Sequence, residues 1–237
     1  MLLERERLPT NTMTKGYFVT GTDTGVGKTL VACALLRAYA GRGLRAVGMK
    51  PVAAGAVPTA QGLRNEDVES LVAAGNVVAP REHVNPYCFR LPIAPHIAAA
   101  QAGVTIEPGR IQLAYRALAE LADIVIVEGA GGFRVPLGPG FDTAQLAVRL
   151  ALPVVLVVGV RLGCLNHALL TADAIAARGL KLAGWVANHV DPDMIAADEN
   201  TQTLEALIAA PMIARVAHGA RPDPAALAGA LDAGKLP

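Results

Sequence analysis

The chain has few residues of several informative kinds. Of its 237 residues, 4% are aromatic, 17% are charged and three are cysteines. Cys33, Cys88 and Cys164 form no C-x-x-C pair, so neither a disulfide framework nor a zinc site is indicated. We expect small apolar thiols in a reducing compartment, which favours a cytoplasmic protein.

The sequence also lacks an excess of charge of either sign. It has 21 basic and 20 acidic residues, so no overall field favours nucleic acid or a membrane surface as a partner. Hydrophobic residues make up 53% of the chain, but they occur in short runs. No stretch approaches the ~20 apolar residues that a membrane span needs. We therefore expect a soluble protein with buried parallel strands.

Short apolar runs alternate with helical patterns along most of the chain, as in βαβ units. The predicted strands are Tyr17–Thr20, Ala46–Lys50, Ile124–Glu128, Val154–Val158, Leu182–Asn188 and Met212–Val216. The predicted helices are Lys28–Arg42, Glu66–Ala74, Pro95–Gln101, Gly109–Ala122, Thr143–Leu150, Asn166–Arg178, Asp198–Ala209 and Pro224–Ala233. This order predicts a P-loop NTPase-type α/β fold, with a mostly parallel sheet and helices on both faces. We assign one domain to residues 16–237, after an N-terminal extension of residues 1–15.

Residues 51–108 interrupt the regular alternation. The segment is rich in Pro, Gly and Asn, and only two short helices are predicted in it. Long irregular insertions at the carboxyl edge of an α/β sheet commonly face the substrate, and we interpret this one in that way.

The segment YFVTGTDTGVGKT indicates a phosphate-binding loop between the first strand and the first helix. Gly25 and Gly27 let backbone N–H groups close around phosphate oxygens, and the following helix adds its free N–H groups. Lys28 is expected on the β- and γ-phosphates and Thr29 on magnesium. The spacing departs from G-x-x-x-x-G-K-[ST], because the first glycine is Gly21 and not residue 22.

Three further polar residues are candidates for the same site. Glu128 ends a buried strand before a glycine run, a context that favours a Mg²⁺ ligand over a solvated charge. Asp67 is a second candidate ligand, although a carboxylate at a helix start is equally common as a structural feature. Lys50 ends the second strand, so it either faces the phosphates or reaches solvent as an ordinary strand-end lysine.

Taken together, these segments resemble the dethiobiotin synthetase family from about Tyr17 to Val216. The resemblance rests on YFVTGTDTGVGKT, MKPVAAG, GLRNED, VNPYCFRLPIAPH, VEGAGG, VVGVRLGCLNHALLT and GWVANHVDP, which occur in this order. It implies an ATP-dependent cyclo-ligase of biotin biosynthesis. Such an enzyme converts 7,8-diaminopelargonic acid and CO2 to dethiobiotin, with ADP and phosphate as the other products.

The resemblance also implies roles for particular residues. Lys50 matches the family's catalytic lysine, with Lys28 acting on the phosphates and Mg²⁺ held by Thr29, Asp67 and Glu128. The implied ATP site comprises Gly25, Val26, Gly27, Lys28, Thr29, Leu30, Asp67, Glu128, Gly129, Ala130, Gly131, Asn188, Arg215, Val216 and Ala217. The implied substrate site comprises Lys50, Ala54, Gly163, Cys164, Leu165, Asn166 and Asn200. The Gly163–Asn166 segment would come from a neighbouring subunit, which implies a homodimer with active sites at the interface.

This sequence departs from the family pattern at three positions. Ala54 replaces a serine, Asn200 replaces a tyrosine, and Ala217 replaces a frequent proline. The first two departures affect expected substrate contacts and leave the reaction class unchanged. We assign no role to His96 or His167.

Other nucleotide-binding classes fit the sequence less well. Dimeric ATPases of the partitioning or metal-cluster-reductase kind carry an extra lysine that is missing from Gly21–Gly25. A GTPase needs the strings D-x-x-G and N-K-x-D, and neither occurs. A cobyrinate-type amidating ligase usually includes a glutaminase domain, for which 237 residues leave no room.

Overall fold

The structure is a computed structural model that describes residues 15–219 and 223–236. Twelve strands and nine helices lie in these residues. The strands are β1 (Lys15–Gly21), β2 (Ala46–Met49), β3 (Val52–Ala53), β4 (Val57–Thr59), β5 (Gly62–Arg64), β6 (Tyr87–Cys88), β7 (Ile124–Gly132), β8 (Pro136–Gly138), β9 (Phe141–Asp142), β10 (Val154–Val160), β11 (Leu182–His189) and β12 (Met212–Val216). The helices are α1 (Lys28–Ala40), α2 (Glu66–Ala74), α3 (Arg81–Val84), α4 (Pro95–Gln101), α5 (Pro108–Leu121), α6 (Thr143–Leu150), α7 (Cys164–Ala177), α8 (Ala197–Leu207) and α9 (Pro224–Ala230).

One six-stranded sheet organises the molecule, in the order β12-β11-β10-β1-β7-β2. All neighbouring strands in it are parallel, which confirms the predicted sheet type. β7 lies between β1 and β2, since Val127 pairs with Phe18 on one side and with Met49 on the other. The carboxyl ends of these three strands therefore meet at one edge.

Helices cover both faces of the sheet, as the alternation of apolar runs predicts. Successive strand residues point to opposite faces, so Phe18 packs with Val125 and Val127 in one core while Tyr17 packs with Ile126 in the other. Residues of α1, α2 and α9 join the second core. Residues of α5 and α6 join the first, and α7 and α8 pack against β10 and β11 on that same face.

The long elements agree with the predictions to within a few residues at their ends. The largest difference is β7, which continues from Glu128 through the glycine run to Gly132, because Gly132 still pairs with Gly21 after an irregularity. Within residues 51–108 the sequence did not indicate β3, β4, β5, β6 or α3. Elements of two to four residues are too short to produce a periodic pattern.

The burial of the cysteines and the apolar character of the helices can be compared with the sequence predictions. All three cysteines are free; Cys33 and Cys164 are buried as expected, whereas Cys88 is partly exposed. Among the described helices, none combines the length and the apolar character needed to cross a bilayer. The predicted N-terminal extension lies outside the described residues, except for Lys15 at the start of β1.

Two leucines on α5 test this packing. Leu118 is fully buried, whereas Leu113 is 67% exposed. We expect Leu118→Ala to lower the free energy of unfolding by about 2–5 kcal/mol, because the lost side chain leaves a cavity. Leu113→Ala makes the same chemical change in the same helix and should cost less than about 0.5 kcal/mol. Urea titration of both variants measures the difference, and equal losses would contradict the assigned face of α5.

Candidate active site

The loop between β1 and α1 has the backbone of an anion-binding site. Gly25 and Gly27 adopt φ values of 74° and 93°, a left-handed conformation that glycine allows without strain. Gly27 is the N-cap of α1, and no side chain caps this helix end. The first N–H groups of α1 are therefore left for a ligand, and they carry the positive end of the helix dipole.

Asn188, at the carboxyl end of β11, fixes this loop from the side. Its Nδ2 donates a hydrogen bond of 2.8 Å to the carbonyl oxygen of Val26. A Cβ atom on Gly27 would lie only 2.4 Å from the same Nδ2. Gly27 is thus required both by its φ angle and by the close approach of Asn188.

Two lysines and two carboxylates come together beside the loop. Lys50 follows β2 and Glu128 lies in β7, so adjacent strands place them side by side. Lys50 Nζ is 2.6 Å from Glu128 Oε1, 2.9 Å from Asp67 Oδ2 and 3.4 Å from the carbonyl oxygen of Gly129. Lys28 Nζ instead donates to the carbonyl oxygen of Asp23 at 2.9 Å. The four charged groups sum to zero.

Thr29 completes the cluster from the first turn of α1. Its Oγ1 lies 3.0 Å from Asp67 Oδ1 and 2.9 Å from Glu128 Oε1. A single hydroxyl hydrogen can be donated to only one of these oxygens at a time. Three oxygen-bearing side chains from α1, α2 and β7 therefore face one another, and they are Thr29, Asp67 and Glu128, the residues implied as Mg²⁺ ligands.

Burial and mutual attraction set the charge states in the cluster. Burial, together with the positive charge of Lys50, lowers the pKa of Lys28 to about 8. Burial also disfavours the charged form of Lys50, but Glu128 and Asp67 outweigh it and raise the pKa of Lys50. Burial also disfavours the charged form of Asp67, but attraction to the Lys50 ammonium outweighs this effect and holds the pKa of Asp67 below its usual range. Lys28 contacts a carbonyl oxygen, whereas Lys50 contacts two carboxylates that offset the cost of its burial. An anionic ligand beside Lys28 would offset that cost in the same way.

The chemistry of these oxygens fits a magnesium ion. Glu128 Oε2 is buried and has no hydrogen-bond partner among the described residues. Such a carboxylate oxygen is costly unless a cation or a donor reaches it. Thr29 Oγ1, Asp67 Oδ1 and Glu128 Oε1 are neighbouring oxygen atoms, the ligand type that Mg²⁺ prefers. No group of three or more His, Cys, Asp or Glu in the described part of the chain could hold a metal alone, so phosphate and water oxygens would be needed.

A cavity of about 800 Å³ opens in front of the cluster. The irregular segment contributes much of its wall, as expected for residues 51–108. The residues lining the cavity are Asp23, Thr24, Gly25, Gly27, Lys28, Thr29, Lys50, Val52, Ala54, Asp67, Pro92, Ile93, Ala94, Pro95, Glu128, Ala130, Gly131, Gly132 and Val135. Of the predicted substrate contacts, Lys50 and Ala54 are therefore in the wall.

Asn188, Arg215, Val216 and Ala217, four residues of the implied ATP site, lie at the ends of β11 and β12. Asn188 pairs with Val216, and Ala187 pairs with Arg215, so these ends are adjacent. Arg215 is exposed and pairs with Asp198 and with His189 Nε2 at 3.2 Å. Ala217 follows β12 and is exposed. Of the other predicted ATP contacts, Val26 is a buried residue of the loop between β1 and α1, and Leu30 lies in the first turn of α1.

The remaining predicted substrate residues do not line the cavity. Gly163 caps α7, and Cys164, Leu165 and Asn166 form the first turn of that helix. Asn200 lies in α8, where its Nδ2 donates to the carbonyl oxygen of Ala196 at 2.8 Å. These residues stay predictions.

Sequence reasoning missed three residues that support the cluster. Asn85 Nδ2 donates to the carbonyl oxygens of Lys50 at 2.6 Å and Tyr87 at 2.9 Å, and so holds the end of β2. The Asn-Pro pair at residues 85–86 was the available signal, since Asn before Pro indicates a turn. Asp23 accepts from Lys28 through its backbone and pairs with Arg161 through its side chain. No local pattern could indicate that last pair, because its partners are 138 residues apart.

The pairing of Lys50 can be tested without any ligand. Glu128 is 1% exposed. Lys50→Met therefore leaves the Glu128 carboxylate buried without its ion-pair partner. We expect a loss of about 3–5 kcal/mol in the free energy of unfolding. Adding Glu128→Gln should recover part of this loss, whereas the exposed Lys181→Met should leave stability nearly unchanged. Chemical denaturation measures all three, and a Lys50→Met variant as stable as the parent would contradict the pairing.

Comparisons with known proteins identify relatives of this fold and site. A family model described as an AAA domain matches residues 15–222. The ATP-dependent dethiobiotin synthetase BioD of Aromatoleum aromaticum is 56% identical over 217 residues, which cover 92% of this chain and 96% of that protein.

Solved structures resemble the chain in fold. A MinD septum site-determining protein from Pyrococcus horikoshii matches with a TM-score of 0.54 and 16% identity, over 86% of this chain and 81% of that one. A ParA family ATPase from Chlorobium tepidum matches with a TM-score of 0.52 and 14% identity, over 88% and 86%. These two likenesses show a shared P-loop NTPase architecture, and the 56% identity shows the family. The chain belongs to the family of ATP-dependent dethiobiotin synthetases.

Proposed function

We propose that this chain carries out its family's reaction at the cluster around Lys50. The substrates are ATP, CO2 and 7,8-diaminopelargonic acid, and the products are dethiobiotin, ADP and phosphate. The observation that carries the proposal is the convergence of Lys28, Lys50, Asp67 and Glu128 beside a phosphate-type loop, in a cavity of about 800 Å³. The cytoplasm, where ATP is available, is the proposed location.

The chemistry has three steps. One amine of the substrate attacks CO2, so an N–C bond forms and a proton leaves to give a carbamate. A carbamate oxygen then attacks the γ-phosphorus of ATP, and ADP departs. Finally the second amine attacks the carbamate carbon, phosphate leaves with the C–O bonding pair, and the cyclic urea closes. Phosphorylation matters because hydroxide or oxide is a far poorer leaving group than phosphate.

The phosphate loop would bind the nucleotide and stabilise the charge of phosphoryl transfer. The N–H groups of Gly25, Gly27 and the start of α1 would donate to phosphate oxygens, and Lys28 adds an ammonium with a depressed pKa. A phosphate restores the stabilisation that burial takes from this charge. Catalysis of this kind depends on positioning and on neutralisation of charge more than on covalent chemistry.

Lys50 would act on the carbamate and the γ-phosphate together. Its raised pKa keeps it an ammonium, so it serves as a charge and a hydrogen-bond donor rather than as a base. It lies at the cavity wall with Ala54, on the side of the irregular segment. Two negatively charged groups must approach each other before phosphoryl transfer, and a fixed positive charge between them reduces their repulsion.

Mg²⁺ would be held by Thr29, Asp67 and Glu128, together with phosphate oxygens. When bound, the ion supplies positive charge to the phosphates. Glu128 supports the assignment best, since its Oε2 is buried without a partner among the described residues. Gly129, Ala130 and Gly131 follow Glu128 along the same edge, where their small size permits close approach of the nucleotide. Gly131, with φ of 62°, again uses a conformation that favours glycine.

The adenine would lie across the ends of β11 and β12. One amide hydrogen of Asn188 is donated to the carbonyl oxygen of Val26. The side-chain carbonyl of Asn188 and its other amide hydrogen would be left for the purine edge. The backbone of Arg215, Val216 and Ala217 would line the remaining side. Asn188 would therefore link base recognition to the shape of the phosphate loop.

The active protein is proposed to be a homodimer. The first turn of α7, at Gly163–Asn166, would receive the substrate carboxylate bound in the neighbouring subunit. Leu162 and Leu170 are 88% and 61% exposed around this turn, and such apolar side chains commonly mark a protein interface. Asn200 would approach the same carboxylate from α8.

The reaction is tested by omission and substitution. We expect dethiobiotin to form only when ATP, bicarbonate and the diamine are all present, as measured by mass spectrometry and ADP release. Lys28→Ala and Lys50→Ala should each lower kcat/KM at least a hundredfold, because each removes a charge from the transferred group. Lys181→Ala alters an exposed lysine at the opposite edge of the sheet and should keep full activity. Near-normal kcat in Lys50→Ala would contradict its catalytic role.

The shared site is tested by complementation. Lys50→Ala removes the lysine of one site, and Asn166→Glu places a negative charge where the substrate carboxylate would bind. Asn166 is exposed, so this change introduces no core strain. Each variant should be inactive alone, and mixing them should restore about a quarter of the activity if subunits exchange at random. Heterodimers that form without any activity would indicate that each chain builds its own site.

A further inference from the structure

The Lys50 ammonium occupies the carboxylates that the proposed metal would use. It bonds Asp67 Oδ2 at 2.9 Å and Glu128 Oε1 at 2.6 Å, while Thr29 Oγ1 faces the other Asp67 oxygen and the same Glu128 oxygen. Glu128 Oε1 is therefore shared between Lys50 and Thr29. A divalent cation bound to these carboxylates would lie close to the ammonium, and repulsion between the two cations would weaken the contacts of Lys50.

We propose that Lys50 is the counter-ion of Asp67 and Glu128 and is displaced from them when metal and nucleotide bind together. Before binding, Lys50 neutralises Asp67 and Glu128, so a free divalent cation gains little by entering. When Mg²⁺ arrives with the triphosphate, the carboxylates turn to the metal and the ammonium is released toward the cavity. This inference rests on the proposed function, since it assigns a second task to the proposed catalytic lysine.

The surroundings of Lys50 allow its side chain to move while its backbone stays in place. The Lys50 N–H donates to the carbonyl oxygen of Val84 at 2.8 Å, and the Lys50 carbonyl accepts from Asn85 Nδ2 at 2.6 Å. The backbone is thus fixed on both sides of Cα. The side chain has four flexible carbon–carbon bonds and lies at the cavity wall with Val52 and Ala54. Rotation about these bonds suffices to exchange the carboxylates for an anion in the cavity.

Lys28 provides a matched comparison in the same cluster. It carries the same charge and is also buried, at 7% exposure against 4% for Lys50. Its ammonium, however, donates to the Asp23 carbonyl and forms no ion pair with Asp67 or Glu128. Removing either lysine changes the net charge of the cluster equally. Only removal of Lys50 vacates the carboxylate oxygens themselves.

Mn²⁺ binding to nucleotide-free protein tests the proposal. Mn²⁺ stands in for Mg²⁺ as an oxygen-seeking ion, and electron paramagnetic resonance counts the free ion directly. We expect Lys50→Met to lower the Kd for Mn²⁺ at least tenfold relative to the parent protein. Lys28→Met should lower it less than threefold. An equal increase in Mn²⁺ affinity in the two variants would show that only the net charge matters, and would overturn the proposal. An unchanged affinity in Lys50→Met would also overturn it.

Thermal unfolding gives a second readout if Lys50→Met is poorly stable. Its buried carboxylate then lacks a cation, so millimolar Mn²⁺ alone should restore most of the lost Tm, while the parent Tm changes little. Lys50→Gln, which keeps a hydrogen-bond donor without charge, should behave in the same way. A Tm that Mn²⁺ does not raise in either variant would contradict the displacement.

The result is separable from the test of the reaction. Metal binding is measured without substrates and needs no turnover, whereas the reaction is judged by the formation of dethiobiotin in the parent protein. Dethiobiotin formation without the gain in Mn²⁺ affinity would refute only the displacement of Lys50. An increase in Mn²⁺ affinity without dethiobiotin formation would refute the proposed reaction and support only a metal site whose carboxylates pair with Lys50.

Discussion

A buried contact between opposite charges, Lys50 with Glu128, is the interaction around which this site is arranged. It is possible only because β7 lies between β1 and β2, which sets Glu128 beside Lys50 and opposite the first turn of α1. Desolvation makes a buried charge costly alone, and the Glu128 carboxylate stabilises the ionised form of Lys50. Asp67 and Thr29 then join the same small volume. The phosphate loop supplies the second lysine of the cluster, Lys28.

In the proposed reaction, one sheet edge would serve several steps. The fold shared with ParA and MinD proteins provides that edge, and insertions at the same edge provide part of the cavity wall. In this chain the insertion after β2 brings Ala54 and the Pro92–Pro95 stretch over the cavity. In the proposed reaction, this wall would face the second substrate.

Much of this could be predicted from the sequence, for identifiable reasons. Apolar strand runs, Gly25, Gly27 and Lys28 carry their information locally, so the fold and the phosphate loop were predictable. Asp67 and Lys50 were ambiguous from local sequence, because a helix-start carboxylate and a strand-end lysine have ordinary structural uses. Their contact, with Lys50 Nζ 2.9 Å from Asp67 Oδ2, depends on how α2 packs beside the end of β2. The pairing of Asp23 with Arg161 and the support from Asn85 depend on tertiary contacts that leave no periodic signal.

The order of strands in the sheet also constrains when the site can come into existence. β1 and β2 are consecutive along the chain but not adjacent in space, and β7, made far later, must insert between them. Thr29 and Glu128 are 99 residues apart, so their contact is strongly non-local. A nascent chain that has emerged only as far as α5 has the phosphate loop and both lysines, yet no partner for Lys50 in β7. The contacts of Glu128 with Lys50 and Thr29 can therefore form only after β7 has emerged, which makes the assembly of this cluster a late event in folding.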